Sequence, residues 1–476
     1  MSCIVVLACL GVVWSDRAGS SPSAAAGFSP LEIIGSPNAL SADGGVIVGQ
    51  FVPAGATVVH AFRWTEAGGQ IDLGIFPGAD ESGAIAASAD GEVVVGFSGF
   101  FARMPPPWRW TSQTGFVALG PMPPGFFAGQ ANDVSADGTV VVGTINGSTL
   151  PTGEAFFQPF RWSATTGIVP LGTLGGPQTN GVAVSADGSV VVGSSNFGGS
   201  SFHVEAFRWT AETGMVGLGS VPGFPNSLAN DTSADGRVVV GTADAFFEEA
   251  PAFRWTEQDG MVSLGDFPGG RFESSARAVS ADGSVVVGFG HDGVPVGQFG
   301  DMQVFIWDAV HGMRALRDVL VEQGTDMSGW RLSFPFGMSA DGRVIGGYGI
   351  NPNGAPQAWL ARLGATEVCT APSIAAISAT PKVLWPPNHK LVPVSVAVDA
   401  TALCGPPACT IASIASDGPG DEGDVVITGN LTALLRAEKS GGVMGRTYTI
   451  SVQCQDAAGN AATQTTAVRV PHDQRK

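Results

Sequence analysis

"SADGSVVVG" runs from Ser185 to Gly193, and the same nine residues return from Ser280 to Gly288. The first four letters also start at Ser41, Ser88, Ser135, Ser233 and Ser339, which makes seven copies at spacings of 47, 47, 50, 48, 47 and 59 residues. A fixed period of this size marks an array in which each unit buries its apolar surface against its neighbours. Every copy leads into a short apolar run ending in Gly, such as Val190-Val-Val-Gly193. Two more markers follow: an aromatic-Arg-Trp triplet at Phe62, Trp108, Phe160, Phe207 and Phe253 (F-I-W at Phe305, A-W at Ala358), and Leu-Gly at Leu73, Leu119, Leu171, Leu218 and Leu264.

Each unit reads as four strands. The Val run is continuously apolar, as a strand buried on both faces is. In F-R-W the Phe and Trp fall on one side of the pleat and the Arg on the other. The third candidate is of the G-M-V-x-L-G type, and the fourth is the short run before the next Ser, as in Gly181-Val-Ala-Val184. Asp-Gly between strands is a hairpin signal, since Gly takes positive φ freely and Asp bonds its own backbone, so S-A-D-G is a turn. Four antiparallel strands repeated seven times predict an all-β fold, a seven-bladed β-propeller. The last unit lacks its third and fourth strands, and Leu31–Gly35 and Pro37–Leu40 at the N-terminal end are expected to complete it and close the ring. In the sixth unit Met313, Leu316, Val319 and Leu320 share one helical face, which predicts a short helix in place of the third strand.

The repeats A-x-x-V-S-A-D-G-x-V-V-V-G, A-F-R-W-T and G-M-V-x-L-G resemble the bacterial extracellular HAF repeats, and R-D-V-L, G-W-R-L and S-A-D-G-R-V-I-G-G-Y-G resemble the terminal repeat of such proteins. The resemblance covers roughly residues 28 to 364 and implies export and a propeller-like array without an established activity. Beyond it, alternating runs at 390–398, 410–415, 425–428, 431–437, 447–452 and 462–470 predict a β-sandwich of immunoglobulin type. Leu384-Trp-Pro-Pro-Asn-His-Lys390 and Gly445-Arg-Thr-Tyr-Thr-Ile-Ser-Val452 resemble the immunoglobulin-like modules of bacterial exported proteins, which implies a spacer or adhesive role. The expected division is a signal peptide at 1–26, the propeller at 27–364, a linker at 365–371 and the sandwich at 372–476.

The formal charge of −18 disfavours a phosphate backbone as partner, and the repeats contain no lysine. No central apolar stretch is long enough to span a membrane. Ile4–Trp14 followed by Ala24-Ala-Ala26 reads as a secretory signal, so the protein is expected outside the cell or at its surface, with the periplasm an alternative. Export suits four cysteines gathered in the last quarter, Cys369, Cys404, Cys409 and Cys454. Spacing leaves three pairings open; Cys409 and Cys454 both lie at ends of strand-like runs, which favours that pair and leaves Cys369 with Cys404.

No catalytic motif is present, the histidines are scattered, and no cofactor or metal site is expected. One carboxylate per turn is too few for a hard cation, so the S-A-D-G aspartates read as structural. In an up-and-down sheet the S-A-D-G and T-x-x-G connections share one face, while connections of varying length emerge on the other. The varying loops carry Phe100, Phe101, Phe156, Phe157, Phe197, Phe202, Phe246 and Phe247, accompanied by acids such as Glu205, Asp292 and Asp301. A fixed scaffold with one variable face places recognition there. The expectation is a monomeric, non-enzymatic binding or adhesion protein whose loop face holds a glycan or a protein. A structural surface component without a specific ligand is the alternative, and a polysaccharide lyase or hydrolase the second.

Overall fold

The computed structural model describes residues 26–99, 106–148, 155–198, 203–244, 250–294, 301–364, 371–402, 406–417, 423–438, 445–456 and 460–471. The fold is all-β and propeller-like. Ser36–Leu40, Val46–Phe51, His60–Thr65 and Gly69–Gly74 pair in that order as one antiparallel sheet, and the pattern repeats along the chain. The third and fourth such sheets touch through a single parallel bridge, Phe157 to Gln178.

Each sheet therefore begins one strand earlier than the sequence reading placed it. The short run before S-A-D-G pairs with the Val run that follows, so the turn lies inside a sheet and closes its first hairpin. The chain ends differ accordingly. Gly27–Pro30 pairs with Pro356–Arg362 and completes the last sheet, whereas Ser36–Leu40 belongs to the first, and 31–35 contains no strand. The sixth sheet also keeps its outer strand, Gly312–Ala315, and the helix Leu316–Glu322 follows it rather than replacing it. That helix buries Leu316, Val319 and Leu320.

The repeated letters each have a partner. In every S-A-D-G the Ser hydroxyl donates to the Asp carboxylate and accepts from the Val amide five residues on, as Ser185 does with Asp187 and Val190. The same carboxylate accepts from Ser189 N, which holds Asp187 below the usual carboxylate range. Gly188 sits at φ 73°, and a Cβ there would stand 2.5 Å from Val140 of the preceding sheet. The glycine ending each Val run has a different reason. A Cβ on Gly193 would lie 1.9 Å from Asn180 O, at the bulge of the first strand, and 2.9 Å from the Phe207 ring.

Neighbouring sheets are joined through these same turns. Ala89 N donates to Ala136 O, Ala136 to Ala186, Ala186 to Ala234, Ala234 to Ala281, Ala281 to Ala340 and Ala340 to Ala42, while Asp43 N donates to Ala89 O. The Arg of F-R-W reaches the next turn's glycine carbonyl: Arg63 to Gly91, Arg161 to Gly188, Arg208 to Gly236 and Arg254 to Gly283. Between sheets, alternate valines enter separate cores, Val191 with Val142 and Phe207, Val190 and Val192 with Val239 and Phe253. Asp133 and Asp231, at bulges of first strands, each accept from their own following amide and from the next sheet's first strand, at Val184 and Val279. Both keep some exposed surface, yet their carboxyls are hemmed between strands, and burial outweighs the hydrogen bonds and pushes each up to about 7.

After residue 370, Ser373–Thr380, Leu391–Thr401, Thr432–Arg436 and Val425–Gly429 form one sheet and Ala408–Ser416, Arg446–Gln455 and Ala461–Val470 another. The two enclose a core containing Val394, Leu435, Tyr448, Ile450 and Val468. Cys409 and Cys454 are disulfide-bonded directly opposite each other on paired strands. Cys369 and Cys404, the signal-peptide residues up to 25, and most of the expected linker lie outside the described residues. Asp424 receives Arg436 Nε from one sheet and Arg446 Nη1 from the other, a buried ion pair joining the two.

Candidate ligand-binding face

Antiparallel alternation puts S-A-D-G and T-x-x-G on one face of the repeat array. The connection from Val run to aromatic strand, and the one from the outer strand to the next sheet, emerge on the other. On the turn face the polar groups are engaged with one another. The S-A-D-G Ser and Asp side chains have partners in their own turns and Arg63, Arg161, Arg208 and Arg254 reach the adjoining one, whereas the Nε atoms of Arg109 and Arg343 are buried without a partner among the described residues.

Of the eight phenylalanines expected on the loop face, three fall among the described residues; Phe100, Phe101, Phe202, Phe246 and Phe247 lie outside them. Phe156 and Phe157 occupy consecutive positions of the strand Ala155–Ser163, so their rings leave opposite sides of the pleat. Phe156 turns inward onto Phe126, with ring centroids 5.2 Å apart at 72°. Phe157 instead lines a cavity. Phe197 is 44% exposed and meets His203 edge-on.

Three loop-face aromatics escaped the sequence reading. Phe127 is 53% exposed and Phe272 40%, and Phe272 stacks on Phe224 of the preceding loop. They come from the second kind of loop-face connection, where Pro124-Gly-Phe-Phe127, Pro222-Gly-Phe224 and Pro268-Gly-Gly-Arg-Phe272 repeat a Pro-Gly turn before Phe. That recurring string was the available signal.

The cavity beside Phe157 has a volume of about 260 Å³ and lies between the second, third and fourth sheets. Phe97 and Phe157 give it two aromatic surfaces, and Gln130, Asn146 and Asn180 bring amides to it. Asn146 and Asn180 hold no side-chain hydrogen bond among the described residues, whereas Gln130 donates to Asn132. Among the described residues the lining contains no ionisable side chain. It can therefore stack and hydrogen-bond, but it offers no group for general acid–base chemistry.

The loop-face acids are tied down. Glu205 accepts from Gly219 N. Asp292 pairs with Arg331 at 2.8 Å. Asp301 receives the buried His291, which holds Asp301 below its ordinary range, and Glu273 stands 3.6 Å from the other imidazole nitrogen. Arg271 pairs with Glu273 at 3.1 Å. This cluster fastens the ends of the sixth sheet's long loop. Among the described residues no three His, Cys, Asp or Glu side chains gather as metal ligands.

A larger cleft of about 960 Å³ lies on the turn face, walled by the fourth to sixth sheets and by Gln455 and Asn460 of the C-terminal module. Most of its charged groups have partners: Arg208 on Gly236 O, Arg254 on Gly283 O, Arg237 beside Asp235, Asp282 on Ser280 and Ser284, and Asp259 on Thr256, whereas Glu257 has none among the described residues. Burial pulls the Arg254 guanidinium below its usual range. The cleft is lined by the joints between neighbouring sheets.

No protein-family model matches the sequence, and no curated protein is similar to it. Among solved structures, an oligogalacturonate lyase in complex with manganese is similar in shape, at TM-score 0.46 and 14% identity over 69% of this chain and 89% of that one. TolB from Acinetobacter baumannii follows at 0.38 and 15% over 56% and 62%. The β-propeller domain of the Trilobed protease from Pyrococcus furiosus gives 0.33 and 11% over 71% and 96%. Among the described residues no helix is long and apolar enough to cross a membrane.

Proposed function

We propose that this chain is an exported, non-enzymatic binding protein of the HAF-repeat type, a closed seven-bladed propeller carrying an immunoglobulin-like module, with a glycan as its ligand. Closure is supported by the turn-to-turn hydrogen bonds that return from Ala340 to Ala42 and by the N-terminal strand Gly27–Pro30 completing the last sheet. The module's two sheets over one core support the sandwich reading and suit a spacer.

One observation carries the function: the loop face exposes Phe127, Phe197 and Phe272 and also holds a cavity lined by Phe97 and Phe157 with no charged group among its described lining residues, while the turn face uses its polar groups to hold the ring. Exposed aromatics on a rigid frame stack against sugar rings at little cost in conformational entropy. The test incubates the chain from residue 27 onward with insoluble bacterial and plant polysaccharides and measures protein depleted and sugar ends released in the same tubes. Depletion without release is expected. Release would make the protein a lyase or hydrolase, and depletion by no polysaccharide would refute the glycan reading.

A further inference from the structure

Resting on that reading, we propose that the cavity between the second, third and fourth sheets is a subsite for one uncharged sugar ring. Its volume of about 260 Å³ lies just under the roughly 300 Å³ at which pockets for drug-sized ligands begin, so it suits a single ring rather than a chain segment. Two kinds of group meet there. Phe97 and Phe157 present aromatic surface, which matches the C–H faces of a pyranose. Asn146 and Asn180 present amides, each with an acceptor oxygen and two donor hydrogens, which matches hydroxyls that both give and take hydrogen bonds.

Charge selects the class. A uronate or a sulfated ring would enter a wall that has no cation among its described residues, and would lose hydration with no counter-charge there to replace it. The loop-face arginines Arg271 and Arg331 pair with Glu273 and Asp292 at the sixth sheet's loop instead. Gly99 and Gly129 contribute no side chain to the lining, so a ring can approach the backbone there. Ser98 does not add to recognition, because its hydroxyl is bonded to Ser82 at 2.9 Å.

The experiment titrates the chain from residue 27 onward calorimetrically with hexasaccharides of glucose, mannose and xylose and with hexagalacturonate, alongside the depletion assay. Binding of at least one neutral hexasaccharide is expected, and hexagalacturonate should bind at least tenfold more weakly. Phe157→Ala and Asn146→Ala should each lower the neutral affinity about tenfold, with unchanged melting as the check on folding. Val262→Ser, exposed on the outer strand Gly260–Gly265 of the fifth sheet and away from the loop-face aromatics, is the control and should leave the hexasaccharide affinity within about twofold. Tighter binding of hexagalacturonate, or neutral binding indifferent to both cavity variants, would overturn the subsite. Depletion by a polysaccharide with no response from any hexasaccharide would also overturn it and leave the glycan reading standing, whereas absence of depletion refutes that reading itself.

Discussion

Replacing Gly193 by Ala should damage the fold far more than replacing Gly214, although both are single methyl additions. Gly193 does not need positive φ; the obstacle is space. Its Cβ would stand 1.9 Å from Asn180 O and 2.9 Å from the Phe207 ring, so the carbonyl must retreat by about an ångström from a first hairpin that it helps to pair. Overpacking of this kind costs about 1–3 kcal/mol, and one or two lost backbone hydrogen bonds add about 1 kcal/mol each. The expected loss is therefore about 2–5 kcal/mol. Gly214 sits at φ 66° with nothing within 4 Å of its Cβ, so Gly214→Ala carries only the left-handed backbone penalty, about 1 kcal/mol. Urea unfolding followed by tryptophan fluorescence would compare the two midpoints. Adding Phe207→Leu to Gly193→Ala should recover only a small part, since the main clash is with backbone. A Gly193→Ala protein within 1 kcal/mol of the parent would refute the account of why every Val run ends in glycine.

Three further outcomes are expected. Asp133 and Asp231 have folded pKa values of about 7 against an ordinary 3.8, so the folded state holds their protons more tightly. Their stabilisation is complete below the ordinary value and lost as pH rises through about 7; unfolding free energy measured from pH 5 to 8 should fall, and fall less steeply in the Asp133→Asn/Asp231→Asn variant. Cys409 and Cys454 close a 45-residue separation, so Cys409→Ser with Cys454→Ser should destabilise the C-terminal module by about 2–4 kcal/mol, read by calorimetry as a shift confined to one transition. Asp424→Ala leaves Arg436 and Arg446 without the buried carboxylate between the two sheets, and should cost that module about 3–5 kcal/mol in the same scan.

Much of the fold was legible because the letters that repeat are the ones the backbone constrains. Ser185, Asp187 and Gly188 make a turn by local hydrogen bonds and a positive φ, and the both-face burial of Val190 to Val192 follows from an uninterrupted apolar run. The phase of the sheets was not legible from the markers alone. Reading a unit from Ser onward treats the turn as a border, but hydrogen-bonded pairing runs across it, and Gly181 belongs with Gly193. The site was legible in part. A doubled Phe draws attention as one feature, yet the pleat sends Phe156 onto the Phe126 ring and Phe157 to the cavity. The amides of Asn146 and Asn180 stand 34 residues apart on different sheets, and only the stacking of sheets brings them to one wall.

The division between a uniform face and a varied one has a mechanical cause. Each turn touches the turns on either side: Gly188 abuts Val140, Arg161 bonds Gly188 O, and Ala186 both gives a hydrogen bond to Ala234 and takes one from Ala136. A change in one copy is therefore felt by two neighbours. The opposite ends of the same strands escape this. Three residues after the glycines at 49, 96, 143, 193, 241, 288 and 347 stand Val52, Gly99, Asn146, Asn196, Asp244, His291 and Ile350, seven equivalent positions carrying six residue types. At one of them His291 ties a loop to Asp301, at another Asn146 borders the cavity, and neither choice alters the turn at the far end of its strand. Strand direction thus separates what must match from sheet to sheet from what is free to differ, and the chemistry of any ligand is to be sought in those differing residues.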